Sequence, residues 1–228
     1  MSDSAVAAVV FDLDGVLVNS EPVWDAAKHE VTERAGGRWR ESAGTEMLGM
    51  SGPEWAEFMR TELEIPLPAD EIWQRVIDGV LRRLEDHVPL IPGARLAVEA
   101  VAARWPIAVA SSADRPVIEK VLEAAGIASL FAVTVSSAEA GRGKPAPDVY
   151  QLAARRLGVS AQDTVAIEDA GNGMRSAVAA GMALIAIPNA STPVDPDSLA
   201  LADLVLDSIA QLEPEVILRA GAAGSARR

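Results

Sequence analysis

The sequence of 228 residues contains no cysteine. This absence excludes disulfide bonds, zinc sites built from thiolates and cysteine nucleophiles together. A chain without disulfides fits a reducing compartment, and we expect a cytoplasmic protein. Half of the residues are apolar, which excludes a globally disordered chain.

Basic residues are scarce relative to acidic ones. The 20 lysines and arginines are outnumbered by 33 aspartates and glutamates, which gives a net charge of −13. Such a charge opposes broad attraction to nucleic acid or to an anionic membrane, so we expect neither as a partner. A small anionic molecule must therefore be bound at a local positive site. No feature of the sequence predicts an oligomeric state.

Long hydrophobic runs are also missing. The first apolar run, Ala5 to Phe11, is too short to span a bilayer, lacks a basic segment before it and leads directly into acidic residues. We interpret this run as a β-strand rather than as a signal or a membrane segment.

From about Leu90 onward, short β-branched runs alternate with longer Ala- and Leu-rich stretches of helical period. This pattern is typical of βαβ units and predicts an α/β fold with a Rossmann-like parallel sheet. Nearly all of the predicted strands are continuously apolar, as expected for strands covered by helices on both faces. They are Ala5 to Phe11, Ile107 to Ser111, Ala132 to Ser136, Thr164 to Glu168, Ala183 to Ile187 and Leu204 to Leu206.

Residues 16–87 interrupt this alternation, because they contain helical patterns, such as Val23 to Ala35 and Asp70 to Glu85, and no convincing strand. We interpret them as an α-helical cap domain inserted after the first strand. The core domain is then discontinuous, with residues 1–15 and 88–219. Its second part opens with the Pro- and Gly-bearing linker Val88 to Gly93. Residues 220–228 lack apolar periodicity and are predicted to form a disordered tail.

Polar side chains stand at the ends of several predicted strands. Ligands of open parallel sheets bind outside the carboxyl ends of the strands, so these side chains are candidates for a site. Taken alone, the acids are also explained as turn residues, the serines as helix caps and the lysine as a solvated loop residue. The candidates are Asp12 and Asp14 before Gly15, Ser111 and Ser112, Lys144 in a Gly-Lys-Pro loop, and Glu168 and Asp169.

The two acid pairs, Asp12 with Asp14 and Glu168 with Asp169, would repel each other if the strand ends converge. A divalent cation would remove this conflict. Oxygen ligands beside a phosphate group favour Mg²⁺. The sequence therefore predicts a magnesium site that includes these acids.

In chain order, the acid pair, the hydroxyl, the lysine and the second acid pair resemble the four motifs of the haloacid dehalogenase superfamily. The segment from Asp12 to Val16 resembles the first motif, Ser111 the second, Lys144 the third and Glu168-Asp169 the fourth. The helical insertion resembles the cap of the β-phosphoglucomutase-like subgroup. This resemblance covers nearly the whole chain.

The resemblance implies a phosphatase mechanism. Asp12 would be the nucleophile that forms an aspartyl phosphate, and Asp14 would be the general acid and base. The Asp12 carboxylate, the Asp14 backbone carbonyl and Asp169 would hold Mg²⁺, with Glu168 orienting the shell.

The resemblance also implies how a small phosphorylated metabolite is bound. Ser111 and Lys144 would bind phosphoryl oxygens. The segment Ser20-Glu21-Pro22-Val23-Trp24 fits sugar-phosphate phosphatases with a cap, so a sugar or polyol phosphate is the expected substrate. The candidates for substrate binding are Glu21, Trp24, Ser112 and Asn172.

Two alternatives remain open. A β-phosphoglucomutase-like mutase must hold a second phosphate, but Trp24 and Gly52 stand where the mutase pattern has a histidine and an arginine. Asp114, beside Ala113 in place of a Ser-Lys pair, would repel that phosphate, with Arg115 as a partial compensation. The other alternative is a non-enzymatic relic of the fold, which has no reason to retain every motif.

Overall fold

The computed structural model describes residues 6–47, 50–189 and 193–227. The chain divides into two units. The core unit consists of the chain up to Asn19 together with Pro89 onward, and the cap unit consists of Ser20–Val88. Within the described ranges, no helix combines the length and the apolar character that a membrane span requires.

In the described part of the core unit, six parallel strands form one sheet in the order β3-β2-β1-β4-β5-β6. The strands are β1 (Ala8–Phe11), β2 (Ile107–Ser111), β3 (Phe131–Ser136), β4 (Thr164–Glu168), β5 (Ala183–Ala186) and β6 (Leu204–Val205). β1, β2, β4 and β5 are buried along their whole length, as their apolar runs predict. The predicted Rossmann-like α/β fold is confirmed. β1 begins at Ala8, whereas the predicted start, Ala5, lies outside the described residues.

Helices connect the strands, because consecutive parallel strands need a crossover. In chain order they are α1 (Glu21–Arg34), α2 (Ala43–Glu46), α3 (Gly52–Glu62), α4 (Ala69–Asp86), α5 (Ala94–Ala102), α6 (Arg115–Ala124), α7 (Ser137–Ala140), α8 (Asp148–Leu157), α9 (Gly171–Ala179), α10 (Pro196–Leu199) and α11 (Pro214–Arg227). α8 packs against β1, β2 and β3, whereas α11 packs against β4 and β5.

The cap unit is built from α1 to α4, as the helical patterns predict. α4 packs against both α1 and α3. Its buried residues Ile72, Val76, Val80 and Leu84 recur every fourth position and form one apolar stripe. Burial of this stripe gives the cap unit a hydrophobic core of its own.

The cap unit begins later than predicted, at Ser20 rather than at residue 16. Val16, Leu17 and Val18 are buried in the core unit. The Leu17 carbonyl accepts a hydrogen bond from the Ile91 N–H at 2.9 Å, and Val18 forms a β-bridge with Leu90. These bonds to the returning chain keep residues 16–19 with the core.

The C-terminal segment also differs from the prediction of a disordered tail over residues 220–228. α11 extends through Arg227, and Arg228 lies outside the described residues. A Cβ atom at Gly221 would lie 2.5 Å from Val6, and one at Gly224 would lie 2.6 Å from Ala183. The prediction is wrong because the small residues, which look like a flexible tail in sequence, allow the helix to pack closely on the core.

Candidate active site

The carboxyl ends of β1, β2 and β4 meet at one edge of the sheet. β1 lies between β2 and β4, with Phe11 in register with Ile167. Asp12 follows Phe11 directly, and its N–H donates to the Ile167 carbonyl at 3.0 Å. Since Ser111 ends β2 and Glu168 ends β4, the parallel register brings these side chains towards Asp12.

Lys144 lies at the centre of this group. It belongs to the loop before α8, and its ammonium donates to Asp12 Oδ1 at 2.7 Å and to Glu168 Oε1 at 2.6 Å. The exposed fractions of the three side chains are only 8% for Lys144, 9% for Asp12 and 1% for Glu168. Taking such charges out of water costs free energy that their attraction offsets only in good geometry. Stability alone therefore does not account for this arrangement.

Tyr150 completes the group and was not predicted from the sequence. This buried residue of α8 donates its hydroxyl hydrogen bond to Glu168 Oε1 at 2.7 Å, and its oxygen lies 3.4 Å from Lys144 Nζ. Tyr150 lies among Val149, Ala153 and Ala154 on the buried side of α8. A hydroxyl in such an apolar stripe must find a polar partner, and this was the available signal.

The other oxygen of Glu168 is held by the backbone. Glu168 Oε2 accepts the N–H groups of Asp169 and Ala170 at 3.1 and 3.3 Å. Gly173, in the first turn of α9, leaves room for this carboxylate, because a Cβ atom there would lie 1.7 Å from Glu168 Oε1. Both oxygens of Glu168 are thus held in place by the core unit.

Asp169 is positioned by Asn189 and by the space over Gly15. Asn189 Nδ2 donates to Asp169 Oδ2 at 2.5 Å. A Cβ atom at Gly15 would lie 2.0 Å from the same oxygen, and Gly15 adopts a φ of +83° that favours glycine. Asn189 was not predicted from the sequence, although its position shortly after β5 placed it near a strand end and was a usable signal.

Ser111 and Asp14 form a second contact at the same edge. Ser111 is fully buried, and its hydroxyl donates to Asp14 Oδ2 at 3.3 Å while accepting the Ala113 N–H at 3.0 Å. Asp14 is only partly buried, unlike Asp12. Two aspartates that lie two residues apart therefore occupy different environments, which suits them to different chemical roles.

The cluster holds more negative charge than its lysine compensates. Burial, together with the carboxylates of Glu168 and Asp14, raises the pKa of Asp12 to about 8 against the opposing effect of Lys144. Burial, together with Glu168 and Asp12, also raises the pKa of Asp169 well above its usual value. Burial disfavours the charged form of Lys144, but its attraction to Asp12 and Glu168 prevails and raises its pKa.

The cluster fits a divalent cation. Asp12, Glu168 and Asp169 each offer one carboxylate oxygen, and these oxygens lie within 4.8 Å of one another. All three residues are buried, and hard cations prefer oxygen ligands of this kind. A bound cation would compensate the excess negative charge and favour the ionised carboxylates.

The remaining predicted substrate-binding residues are divided between the two units. In the core unit, Ser112 is exposed directly after β2, and Asn172 is exposed in the first turn of α9. In the cap unit, Glu21 and Trp24 are partly buried and lie on one face of α1. Trp24 packs edge-on against Trp55, with ring centroids 6.4 Å apart.

Comparison with known proteins identifies relatives over nearly the whole chain. The family model described as haloacid dehalogenase-like hydrolase matches residues 6–181. Hexitol phosphatase B from Escherichia coli (strain K12) is 32% identical, over 93% of this chain and 97% of that protein. The probable pseudouridine-5'-phosphatase of Drosophila melanogaster is 31% identical, over 92% of this chain and 93% of that protein.

A solved structure gives a similar result. CbbY from Rhodobacter sphaeroides, crystallised as a mutant in complex with xylulose-(1,5)bisphosphate, has 30% identity and a TM-score of 0.85. The similarity covers 93% of this chain and 99% of that chain. The similarity in fold and the similarity in sequence therefore indicate the same protein family.

Proposed function

The chain belongs to the haloacid dehalogenase-like hydrolases, as its motifs predict, and on that premise we propose that it is a Mg²⁺-dependent phosphatase acting through Asp12. The proposed substrate is a small phosphorylated sugar or polyol. The observation that carries the proposal is the buried Asp12 carboxylate, which Lys144 holds beside two further acids. An aspartate in this setting is positioned to attack phosphorus.

The proposed reaction has two steps. An oxygen of Asp12 attacks the phosphorus, an aspartyl phosphate forms, and the bond from phosphorus to the sugar oxygen breaks. Asp14 donates a proton to that leaving oxygen. Asp14 then takes a proton from water, whose oxygen attacks phosphorus and releases inorganic phosphate from Asp12. Ser111 and Lys144 bind the phosphoryl oxygens and oppose their negative charge.

The metal would be held by the Asp12 and Asp169 carboxylates and the Asp14 backbone carbonyl. Mg²⁺ supplies positive charge that offsets the repulsion between the phosphate and the carboxylates. Glu168 is better suited to orienting its neighbours, because Lys144, Tyr150 and two backbone N–H groups already engage both of its oxygens. Residues that hydrogen-bond around metal ligands in this way fix the orientation of the ligands without contacting the metal.

The hydrogen bonds of Arg115 argue against the mutase alternative. Its guanidinium donates to both Glu139 oxygens at 2.6 and 2.8 Å and to the Thr134 carbonyl at 3.1 Å. An arginine held in this way is not available to balance Asp114 beside a second phosphate. Hydrolysis of a monophosphate therefore fits the core unit better than transfer between two phosphate positions.

The proposal is tested by inorganic phosphate release from a panel of phosphorylated hexitols, sugars and nucleotides. We expect turnover with Mg²⁺, and a loss of at least about a hundredfold after chelation that Mg²⁺ restores. The Asp12→Asn protein serves as the blank. If no substrate gives metal-dependent release above that blank, the phosphatase proposal fails and the non-enzymatic alternative becomes the better account.

We expect Tyr150→Phe to lower kcat by about tenfold, because a hydrogen bond to a charged group contributes on the order of 1.5–3 kcal/mol. Phenylalanine retains the ring that packs in the core, so the protein should fold. The loss should appear mainly in kcat rather than in KM, since the hydroxyl positions Glu168 and Lys144. An unchanged kcat would show that Tyr150 serves only in packing.

A further inference from the structure

Ser136 is a buried serine at the carboxyl end of β3, the strand next to β2 in the core unit. Its Cα lies in register with that of Ser111, which ends β2. Because the strands are parallel, Ser136 stands at the same edge of the sheet as the proposed phosphate-binding residues. It was not predicted from the sequence as a site residue.

The hydroxyl of Ser136 holds the backbone of the loop that follows β2. It donates to the Ala113 carbonyl at 2.7 Å. α6 begins at Arg115, and its first turn bonds to the Asp114 carbonyl, which accepts the Ile118 N–H at 3.1 Å. The Ala113 carbonyl thus lies one residue before the hydrogen bonds of that helix. Since Ala113 is only 6% exposed, its carbonyl needs a partner from another part of the fold, and Ser136 provides it.

Ala113 connects this bond to Ser111. The Ala113 N–H donates to Ser111 Oγ at 3.0 Å, which closes a turn of three residues. Because the Ser111 oxygen accepts this bond, its hydroxyl hydrogen is left for another acceptor. That acceptor is Asp14 Oδ2 at 3.3 Å in this structure, and a phosphoryl oxygen in the proposed reaction. Ser136 and Ser111 are therefore joined through the two backbone groups of Ala113.

A second contact joins the same loop to β3 and α7. The Arg115 guanidinium donates to both Glu139 oxygens, and Glu139 Oε1 accepts the Ser136 N–H at 3.2 Å. The side chains of Arg115 and Glu139 are 40% and 27% exposed, and ion pairs with access to solvent constrain a loop weakly. The hydroxyl of Ser136 is buried. We therefore expect the Ser136 bond, rather than the ion pair, to fix Ala113.

We propose that Ser136 is a positioning residue for phosphate binding, which acts through Ala113 to fix the direction in which Ser111 donates its hydrogen. This inference rests on the proposed function. A donor stabilises the charge of a transition state best when it is already oriented, because no reorganisation is then needed during the reaction. An alanine would fit in the space of Ser136, so packing alone does not account for the hydroxyl.

The test is a double-mutant cycle of Ser136→Ala and Ser111→Ala, read as kcat/KM for a hexitol phosphate. In the wild-type background, we expect Ser136→Ala to lower kcat/KM by about tenfold. In the Ser111→Ala background, the same substitution should change kcat/KM by less than about twofold, because the group through which Ser136 acts is already absent. An equal fall in both backgrounds, or no fall in either, would overturn the proposal.

Thr164→Val is the matched control. Thr164 is also buried, and its hydroxyl donates to the Ser160 carbonyl at 2.9 Å, but it begins β4 at the opposite edge of the sheet. Both Ser136→Ala and Thr164→Val should lower the Tm, since each leaves a carbonyl without its partner. Only Ser136→Ala should lower kcat/KM. A similar fall in kcat/KM for Thr164→Val would show that the loss follows from stability and would overturn the positioning role.

Hydrogen exchange provides a readout that does not depend on activity. Ser136→Ala should speed exchange of the Ala113 N–H by about tenfold relative to Thr164→Val, because the turn then opens more often. An unchanged exchange rate would overturn the role of Ser136. If Ser136→Ala does not fold, Ser136→Cys enters both experiments, because it keeps the shape and offers only a weak donor. If the wild-type protein hydrolyses no phosphate ester, the proposed function fails, which is a different outcome from an unchanged exchange rate.

Discussion

Asp12→Asn should reduce the turnover of every substrate to below about one per cent of the wild-type value. The amide is nearly isosteric with the carboxylate, but it is a poor nucleophile and a weaker ligand for a hard cation. In the structure, Asp12 Oδ1 accepts from Lys144 at 2.7 Å, so the substitution also weakens that ion pair. The measurement is steady-state phosphate release, together with acid-quenched detection of phosphorylated protein.

Two controls separate loss of chemistry from loss of fold. The thermal unfolding of Asp12→Asn should remain cooperative, because the substitution removes a buried charge and preserves its volume. Asp163→Asn, at an exposed position before β4, applies the same chemical change away from the site and should retain full activity. Covalent phosphate on the Asp12→Asn protein, or residual turnover above one per cent, would assign the nucleophile to another residue.

Asp14→Asn should slow hydrolysis of a hexitol phosphate by about 10²- to 10⁴-fold, because the alkoxide leaving group needs a proton that an amide does not supply. An activated aryl phosphate should lose less in the first step, since its leaving group departs without protonation. The second step remains slow for both substrates. We therefore expect a burst of nitrophenol close to one equivalent of enzyme, followed by slow turnover.

The structure explains why Asp14 rather than Asp12 is assigned this role. Asp14 lies outside the Asp12, Glu168 and Asp169 cluster and contacts the Ser111 hydroxyl at 3.3 Å. Asparagine retains an acceptor for that hydroxyl, which limits the change to proton transfer. Equal loss of activity with both substrates and no burst would remove Asp14 as the general acid.

The order of the motifs and the fold class could be predicted from the sequence, because both depend on local patterns. Continuous apolar runs predicted buried parallel strands, and the rule that ligands bind at strand ends selected Asp12, Ser111 and Glu168. The cap helices were predicted for a similar reason, since an apolar stripe of helical period is contained within one segment. Each of these inferences required only residues close together in the chain.

Features that depend on close packing between distant segments were missed or predicted wrongly. In sequence, residues 220–228 resemble a flexible tail, and only the packing of Gly221 against Val6 explains why α11 continues through them. Asn189 gains its role from Asp169, which lies 20 residues earlier. The entry to the cap was predicted too early because the bond between Leu17 and Ile91 joins segments separated by the whole insertion.

The sequence by itself determined which residue types stand at the strand ends and therefore the class of chemistry. The tertiary structure decided which of these groups form hydrogen bonds with one another and which of them shift one another's pKa. Tyr150 reaches Glu168 only because α8 packs across β1, β2 and β3. Burial and electrostatic partners depend on the local environment of each atom, and that environment is formed by residues far apart in the chain.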